Sequence, residues 1–552
     1  MNPLALLIFE LMKWPGGSLN HNITNRHLWM LVILLLPPAL LINLGLAPFS
    51  SDEPIRVTVA MEMILSGQYF FPTLAGLPYY NKLPLFNWIV AALFRLSGSW
   101  HEVVPRLYNV CVLLVYAGVI YLAFRKQLGK QVASLTALAL VTTGDILFWD
   151  SLLGLIDITF SLLMFMMFMA IFAAASKPRP GVYYLAAYLL ASLGFMMKGL
   201  PSLVFLGLTW IALAISIRSW KPLLRLNHLY GIFLFLLILG AYALVYSRYN
   251  DPGMYLSIIW RESSQRTVMN HGWWNTFSHL FTFPFTIGYH FLPWTLWLVV
   301  FTLSSARKYV KEQSLLRFLL LTLGINIVLY WTSPEMHPRY LLMLLPLGLA
   351  LIMGPMLSLK PLNERLLKFL LITGRIFALM ALLSIPSLYL YFIYYQDFTP
   401  SPWLFSLLIP ALFLIFLFQK QDIFRTGILI ALSVLIIRIA FNLTVLPQRE
   451  MHNQDLALKE AAEEVARATQ GKTLYLAWNT QIHELTLAYF TRERREILAR
   501  HHPEHVPGTW YVSDAPMLGK MDRKRIPYEV IQTFPTRYYS KPVTLYLVQI
   551  QP

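Results

Sequence analysis

Residues 49–89 read FSSDEPIRVTVAMEMILSGQYFFPTLAGLPYYNKLPLFNWI. Two adjacent carboxylates, Asp52 and Glu53, stand near the start of this stretch, directly after a strongly apolar segment. Two amphipathic pieces follow, at 55–67 and 84–97, with apolar residues at helical spacing. A bilayer span takes about 20 apolar residues, so we predict that both pieces lie in the membrane interface. The stretch therefore predicts a structured loop at a membrane surface.

The composition of the whole chain is that of a membrane protein. Of its 552 residues, 57% are hydrophobic and 13% are charged, whereas soluble domains carry roughly 25% charge. The formal charge of +17 resides mostly in short loops between apolar segments. This distribution is typical of membrane topology and of contact with anionic lipid headgroups, and it argues against nucleic-acid binding. Cys111 is the single cysteine; it excludes a disulfide framework and is predicted to be a small buried side chain.

Apolar segments predict a polytopic α-helical membrane protein with about thirteen spans. They lie at 28–48, 103–124, 131–148, 157–175, 182–197, 200–217, 229–247, 284–304, 315–332, 340–357, 369–392, 403–418 and 425–446. Lys and Arg concentrate in alternate loops, which predicts a cytoplasmic N-terminus and an outward-facing tail. The remaining loops, 49–102 and 248–283 among them, share the outer face and are richer in Asp, Glu, His, Trp and Tyr. No cleavable signal peptide is expected, because the apolar run near the start is short and interrupted by Glu10.

The last hundred residues have a different character. NQDLALKEAAEEVARATQ has helical spacing, IHELTLAYF predicts a second helix, and KTLYLAW, TWYVSD, YEVIQTF and VTLYLVQI predict strands. We therefore predict two domains, a transmembrane domain over 1–446 and a small α/β domain over 447–552. The α/β domain is expected on the periplasmic side.

A specific resemblance lies in the quoted stretch. EMILSGQYFFPTLAGLPYYNKLPL, preceded by a carboxylate pair, resembles the first outer loop of the glycosyltransferase C superfamily. It is most similar to the bacterial aminoarabinose transferases of lipid A and to their relatives, the protein O-mannosyltransferases. Further segments fit the family in order: HEVVPRLYNV, SLLGLIDITF, MMKGLP, IIWRESSQRTVMNHGWW and HPRYLLMLLP. The sequence departs from the family at Asn81, where Glu is usual, at Leu83, where Pro is usual, and at Arg56, which sits one place later than the usual Arg.

The resemblance implies an inverting glycosyltransferase in the bacterial inner membrane. Its donor would be a sugar linked to undecaprenyl phosphate, and its acceptor would be lipid A. A protein, or another envelope glycolipid or polysaccharide, stays open as the acceptor. A transporter is a less favoured reading, because the acids cluster in outer loops and the two halves show no symmetry. We expect a monomer that contacts membrane lipids.

The resemblance also assigns roles to individual residues. Asp52 is the candidate base for a hydroxyl acceptor, or a positioning group for a phosphate acceptor, with Asp157 as its catalytic neighbour. Cations would stabilise charge on the leaving lipid phosphate; the candidates are Lys82, Arg56, Lys198 and Arg339. Candidate substrate-binding residues are Glu53, Tyr79, Tyr80, Glu262, Arg266, His337 and Tyr340. Asn81 and His271 stand at the positions that bind a metal ion in the family. Since an Asn carbonyl can ligate a hard cation, the binding of a divalent cation stays open. The resemblance requires no cofactor.

Each assignment has a structural alternative. The carboxylates Asp52, Glu53 and Asp157 could cap helices, and Lys82 and Lys198 could anchor in the headgroups. His271 could belong to an aromatic belt, while Glu262 and Arg266 could form an i,i+4 pair. Arg438 lies within the last predicted span, where it needs either a structural partner or a lipid phosphate.

Overall fold

The structure of the chain is a computed structural model. The structure describes residues 24–255, 257–258, 273–334, 336–359, 364–395, 402–408, 410–411, 414, 422–538 and 541–552. The predicted site residues Glu262, Arg266 and His271 lie outside these ranges.

Helices dominate the chain before the tail. Seven of the described helices are long and apolar enough to cross a membrane, and up to nine spans result if each of two bent pairs is one span. The helices run over Asn25–Leu41, Glu53–Ser66, Leu85–Ser97, Val103–Phe124, Lys130–Val141, Gly144–Phe148, Ile156–Ser176, Pro180–Lys198, Pro201–Ser216, Asn227–Tyr246, Trp273–His290, Ser304–Glu312, Ser314–Trp331, Leu345–Ser358, Glu364–Tyr395, Ile423–Leu443 and Val445–Met451. The polytopic helical prediction is confirmed, while the number thirteen stays a prediction.

Two predicted spans are bent. The one at 131–148 consists of Lys130–Val141 and Gly144–Leu152, which meet at 44°. The one at 284–304 consists of Thr276–His290 and Trp294–Thr302, which meet at 117°. Seven of the sixteen residues of the predicted span at 403–418 lie outside the described residues.

Two compact units make up the chain. One contains Met1–Ile42 and Pro361–Thr444, and the other contains Asn43–Lys360 and Val445–Pro552. The predicted boundary after residue 446 stays a prediction.

Arg438 has a structural partner within the first unit. Its Nε donates to the carbonyl oxygen of Ala39 over 3.1 Å, and Asn442 Nδ2 donates to the same oxygen over 2.9 Å. Ala39 lies in the last turn of the Asn25–Leu41 helix, where the carbonyl oxygens have no N–H donor within the helix. Arg438 and Asn442 are four residues apart and therefore reach the same point. This pair on the Ile423–Leu443 helix therefore caps the C-terminal end of the Asn25–Leu41 helix.

The first loop, residues 49–102, is held by a buried ion pair. Both side chains, Glu53 and Arg106, are almost wholly buried. Arg106 donates through Nε and Nη2 to the two Glu53 oxygens over 3.0 and 2.8 Å. The backbone N–H groups of Ser50 and Gly154 donate to the same carboxylate over 2.8 and 2.5 Å. Glu53 thus joins its own loop to the turn before the Ile156–Ser176 helix.

The rest of the Arg106 guanidinium organises the chain that precedes the loop. It donates to the carbonyl oxygens of Leu44, Ala47 and Pro48 over 3.2, 2.8 and 2.7 Å. Gly154 permits the close approach at this point, since a Cβ there would lie 2.7 Å from the Pro105 side chain. Arg106, at the start of the Val103–Phe124 helix, therefore holds the irregular segment 44–48 through three of its carbonyl groups.

The two amphipathic pieces are helices, as predicted. The helices Glu53–Ser66 and Leu85–Ser97 are joined by a short hairpin in which β1 (Thr73–Leu74) pairs with β2 (Leu77–Pro78). Buried Glu62 fixes the hairpin by accepting from Thr73 Oγ1 over 2.6 Å and from the Ala75 N–H over 2.7 Å. Burial raises the pKa of Glu62, although these bonds act in the opposite direction.

The tail folds as predicted into an α/β domain. Its sheet has the order β4-β3-β5-β7-β6, with β3 (Leu474–Ala477) parallel to both β4 (Arg500–His501) and β5 (Trp510–Asp514). The long strands β6 (Tyr528–Tyr538) and β7 (Lys541–Ile550) add antiparallel pairing. Helices run over Gln454–Ala468, Glu484–Arg494 and Ala515–Arg523. Apolar side chains of β3, β5 and β7 form a core with Met521.

The tail and the first loop meet at Glu102. This fully buried carboxylate accepts from Lys459 Nζ over 2.8 Å, from Tyr489 Oη over 2.6 Å and from Arg492 Nη1 over 3.2 Å. Burial alone would raise its pKa, but the hydrogen bonds and positive charges of these partners lower the pKa of Glu102 to about 2.

The buried position predicted for Cys111 is wrong. Its side chain is exposed on the Val103–Phe124 helix. An exposed face of a spanning helix contacts lipid, where a small apolar thiol is as well accommodated as in a core.

Replacing Glu53 by Ala should strongly destabilise the protein, because Arg106 would be left buried without its counter-charge. Loss of one partner of such a pair costs about 3–5 kcal/mol. Thermal unfolding of the detergent-solubilised protein measures the effect. The control is Glu364→Ala, which breaks an exposed i,i+4 pair with Lys368 and should shift the midpoint very little. Equal shifts for the two variants would contradict the central role of Glu53.

Acid should remove the stability that Glu102 supplies. A lowered pKa in the folded state stabilises the protein fully above the ordinary value of 4.5, and this contribution is lost as the pH falls from there towards about 2. The difference in unfolding temperature between wild type and Glu102→Gln should therefore narrow below about pH 4.5. A difference that stays constant from pH 7 to pH 3 would show that the charge of Glu102 is not what stabilises the junction.

Candidate functional site

Three distant segments bring two predicted catalytic residues together. Asp52 immediately precedes the Glu53–Ser66 helix, and Asp157 is the second residue of the Ile156–Ser176 helix. Arg339 lies between them, with Nη2 3.9 Å from Asp52 Oδ2 and Nε 3.8 Å from Asp157 Oδ2. Its Nη1 donates to Ser51 Oγ over 3.2 Å. The arginine therefore bridges the two carboxylates.

Lys198 completes this cluster. It ends the Pro180–Lys198 helix, and its Nζ donates to Asp157 Oδ1 over 2.5 Å. The same ammonium group lies 4.9 Å from the ring centroid of Tyr340 and 5.0 Å from that of Phe160, in cation–π geometry. Of the predicted residues, Asp52, Asp157, Lys198, Arg339 and Tyr340 thus form one cluster, which we call the acid–base cluster.

The two carboxylates differ in accessibility. The Asp52 side chain is 51% exposed, whereas that of Asp157 is 5% exposed and contacts two cations. Burial alone would lower the pKa of Arg339, but Asp157 and then Asp52 raise it above the ordinary value, so the guanidinium stays charged. Asp52 is therefore accessible from outside the cluster, while Asp157 is enclosed by Lys198 and Arg339.

Sequence reasoning missed a third carboxylate. Asp150 is buried and lies close enough to Asp157, Arg339 and Lys198 to interact with them electrostatically. Neither of its carboxylate oxygens has a hydrogen-bond partner among the described residues. The only sequence signal is its position, seven residues before Asp157 in the same predicted outer loop. Asp145, which is also near Asp150, forms a pair with His290 over 2.8 Å.

Lys82 and its neighbours form a second, aromatic group. Tyr255 Oη donates to the Lys82 carbonyl oxygen over 2.5 Å, and Asn250 Nδ2 donates to Tyr80 Oη over 2.8 Å. Burial raises the pKa of Tyr255 well above its ordinary value, so its hydroxyl stays protonated and donates this hydrogen bond. The Lys82 side chain is partly exposed. We call this group, with Arg56 and Tyr79, the lysine cluster.

Arg56 belongs to the lysine cluster through Tyr79. It is buried, and its Nη1 donates to Tyr79 Oη over 2.7 Å. Arg56 lies one helical turn after Asp52, so a single helix, Glu53–Ser66, contributes to both clusters. This helix sets the distance between them.

The remaining predicted residues lie at different places. Glu53 is enclosed by Arg106 and two backbone donors, so its oxygen atoms are engaged in holding the loop. His337 is exposed and its ring lies 5.4 Å from that of Tyr340. Asn81 is exposed. Within the part of the chain that the structure describes, no group of three or more His, Cys, Asp or Glu side chains could hold a metal ion.

A cavity of about 500 Å³ opens beside Ser50. It is lined by the two segments that precede the candidate catalytic carboxylates, within 43–50 and 149–153, and by residues of the tail. Polar and aromatic groups around it are Asn43, Ser50, Arg106, Trp149, Arg449, Glu450, His452, Asn453, Gln454, Asp455 and Arg537. The lining is thus polar and carries both charges, and it includes Ser50, two residues before Asp52.

The comparisons agree with this architecture. Residues 81–246 match the family model of dolichyl-phosphate-mannose-protein mannosyltransferases. The crystal structure of ArnT from Cupriavidus metallidurans bound to undecaprenyl phosphate superposes with a TM-score of 0.69 at 18% identity, covering 95% of this chain and 98% of that one. The apo state of the same protein gives a TM-score of 0.66 at 18% identity, with coverages of 94% and 97%.

Residues 81–246 are thus similar to the protein mannosyltransferase family, and the chain as a whole has the fold of ArnT. The predicted resemblance is confirmed at this level, as is the prediction that the chain is a glycosyltransferase. A search of curated proteins finds no match for this glycosyltransferase.

Proposed function

We propose that this glycosyltransferase moves a sugar from undecaprenyl phosphate to lipid A on the periplasmic face of the bacterial inner membrane. The observation that carries the proposal is the Arg339 bridge, which places the accessible Asp52 beside Asp157 and Lys198. Undecaprenyl phosphate in the similar ArnT structure supports the choice of donor. The match to protein mannosyltransferases over 81–246 favours a second acceptor class, the hydroxyl groups of proteins.

The lysine cluster is assigned to the donor phosphate. When the bond between the anomeric carbon and the phosphate oxygen breaks, its electron pair stays on the phosphate. Positive charge already in place stabilises the developing negative charge without reorganisation. Lys82 supplies this charge from a partly exposed position. Arg56 supplies it from a buried position, where it donates a hydrogen bond to Tyr79. The phenols of the cluster give the sugar and the prenyl chain an aromatic wall.

The acid–base cluster is assigned to the acceptor. A hydroxyl acceptor must lose its proton as its oxygen bonds to the anomeric carbon, and Asp52 takes that proton. A phosphate acceptor is already anionic; Asp52 and Arg339 then orient it. The acceptor approaches from the cavity beside Ser50. Arg449 pairs there with Glu450 over 2.9 Å and Arg537 pairs with Asp455 over 2.7 Å, so the lining offers polar groups of both charges to a sugar headgroup. Attack opposite the leaving phosphate inverts the anomeric centre.

Asp52→Asn should abolish transfer and leave the protein folded, because a half-exposed carboxylate contributes little to stability. Mass spectra of lipid A are compared for host cells with the gene intact, deleted or carrying Asp52→Asn. A sugar-sized mass lost in both altered strains supports the proposal. The control is Asp522→Asn, an exposed acid of the tail, which should keep the mass. Unchanged lipid A in all strains would exclude this acceptor and direct the search to glycoproteins and other envelope polymers.

Lys82→Met should reduce kcat/KM for the donor by about 100-fold, the size expected when one group that stabilises transition-state charge is removed. Initial rates with purified enzyme and a polyprenyl-phosphate-linked sugar give this number. Lys221→Met, in an exposed segment beyond the Pro201–Ser216 helix, is the matched control. A loss below threefold would remove Lys82 from the phosphate site.

A further inference from the structure

The tail contacts the segment that carries Asp52 through one tyrosine. Tyr489 lies in the Glu484–Arg494 helix, which we call the docking helix, and is fully buried. Its hydroxyl donates to Glu102 Oε1 over 2.6 Å and accepts from the backbone N–H of Phe49 over 3.0 Å. The Tyr489 ring also stacks on the Phe49 ring, with centroids 5.6 Å apart. Both hydrogen-bonding capacities of the phenol are therefore used on the first loop.

The segment between Phe49 and Asp52 is short and fixed at both ends. Phe49 is held by Tyr489 at one end, and Glu53 is held by Arg106 at the other. Ser51, between them, has φ of 58°, a left-handed conformation that a non-glycine residue adopts only when its surroundings impose it. Ser51 Oγ in turn accepts from Arg339. A displacement at Phe49 is therefore passed on to Asp52 and Arg339.

The docking helix itself is firmly attached. It packs against the Glu53–Ser66 helix, and Arg492 on it forms ion pairs with Glu102 and with Glu463. A second attachment lies at the hairpin, where the backbone N–H of Arg500 donates to the carbonyl oxygen of Ala75 over 3.0 Å. Gly76 makes this approach feasible, because a Cβ there would lie 2.9 Å from the Ala499 Cβ. The tail thus contacts the chain both before the Glu53–Ser66 helix, at Phe49, and after it, at the hairpin.

We propose that the tail domain is a positioning element for the transfer reaction, and that Tyr489 is the residue through which it places Asp52. Tyr489 touches no reacting group and acts through Phe49. The inference rests on the proposed function only for its kinetic part. Its structural part, the restraint of residues 49–52 by a phenol of the tail, is independent of the substrate.

The test variant is Tyr489→Phe, which keeps the stacked ring and removes both hydrogen bonds. A misplacement of about 1 Å can lower a rate 100-fold, so kcat should fall by about 10- to 100-fold. KM for the donor should change less than twofold, since the lysine cluster is untouched. Hydrogen exchange at residues 49–58 should accelerate, while exchange in the Ile156–Ser176 helix stays unchanged. The control is Tyr528→Phe, which removes a hydroxyl bonded to Asp522 in the same domain and should match wild type in every measurement.

Each outcome decides the question. Unchanged exchange at 49–58 together with unchanged kcat would overturn the proposal. Faster exchange throughout the chain would show a role in general stability and would also overturn it. If the wild-type enzyme transfers no sugar to any acceptor offered, the proposed function fails, but the exchange data still decide whether Tyr489 restrains the segment. Local exchange without a fall in kcat would show a restraint that does not serve Asp52, and this too would refute the positioning role.

Discussion

The buried pair of Glu53 and Arg106 is the interaction on which the rest of the site depends. An uncompensated charge could not remain in this position, so the carboxylate and the guanidinium must stay together once the loop has folded. Their hydrogen bonds collect the chain before the loop, the loop itself and the turn at Gly154. Asp52 precedes Glu53 and Asp157 follows Gly154 by three residues. Bringing these segments together therefore brings the two candidate catalytic carboxylates together.

One helix separates the residues proposed to bind the donor phosphate from those proposed to act on the acceptor. The Glu53–Ser66 helix has Asp52 at its beginning and Arg56 one turn later, so the acid–base cluster and the lysine cluster are held apart by rigid backbone. The proposed transfer needs such a division, because the leaving phosphate requires positive charge and the acceptor requires a carboxylate or an orienting cation. The two carboxylates of the acid–base cluster also differ in burial, since Asp52 is half exposed and Asp157 is enclosed.

Much of this arrangement could be predicted from the sequence. The helices at 55–67 and 84–97 follow from apolar spacing, and the tail strands follow from alternation. Asp52, Asp157, Lys198 and Arg339 were all named from a resemblance, which assigned the two cations to the donor phosphate. In the structure these cations lie against the two carboxylates. Asp150 could not be recognised, because a lone acid in a loop gives no sign of its burial. The exposure of Cys111 was also missed, since the pattern of an almost wholly apolar span does not tell which face meets lipid.

The sequence by itself determined that the chain is a polytopic helical membrane protein with an α/β tail, because hydrophobicity and local periodicity act over short stretches of chain. Only the tertiary structure decided what Glu53 and Tyr489 do. Glu53 is a candidate substrate-binding residue in the sequence, yet Arg106, 53 residues later, holds both of its oxygens in a buried ion pair. Tyr489 meets Phe49 across 440 residues. Pairings at such separations depend on how helices pack, and packing is not encoded in any local pattern.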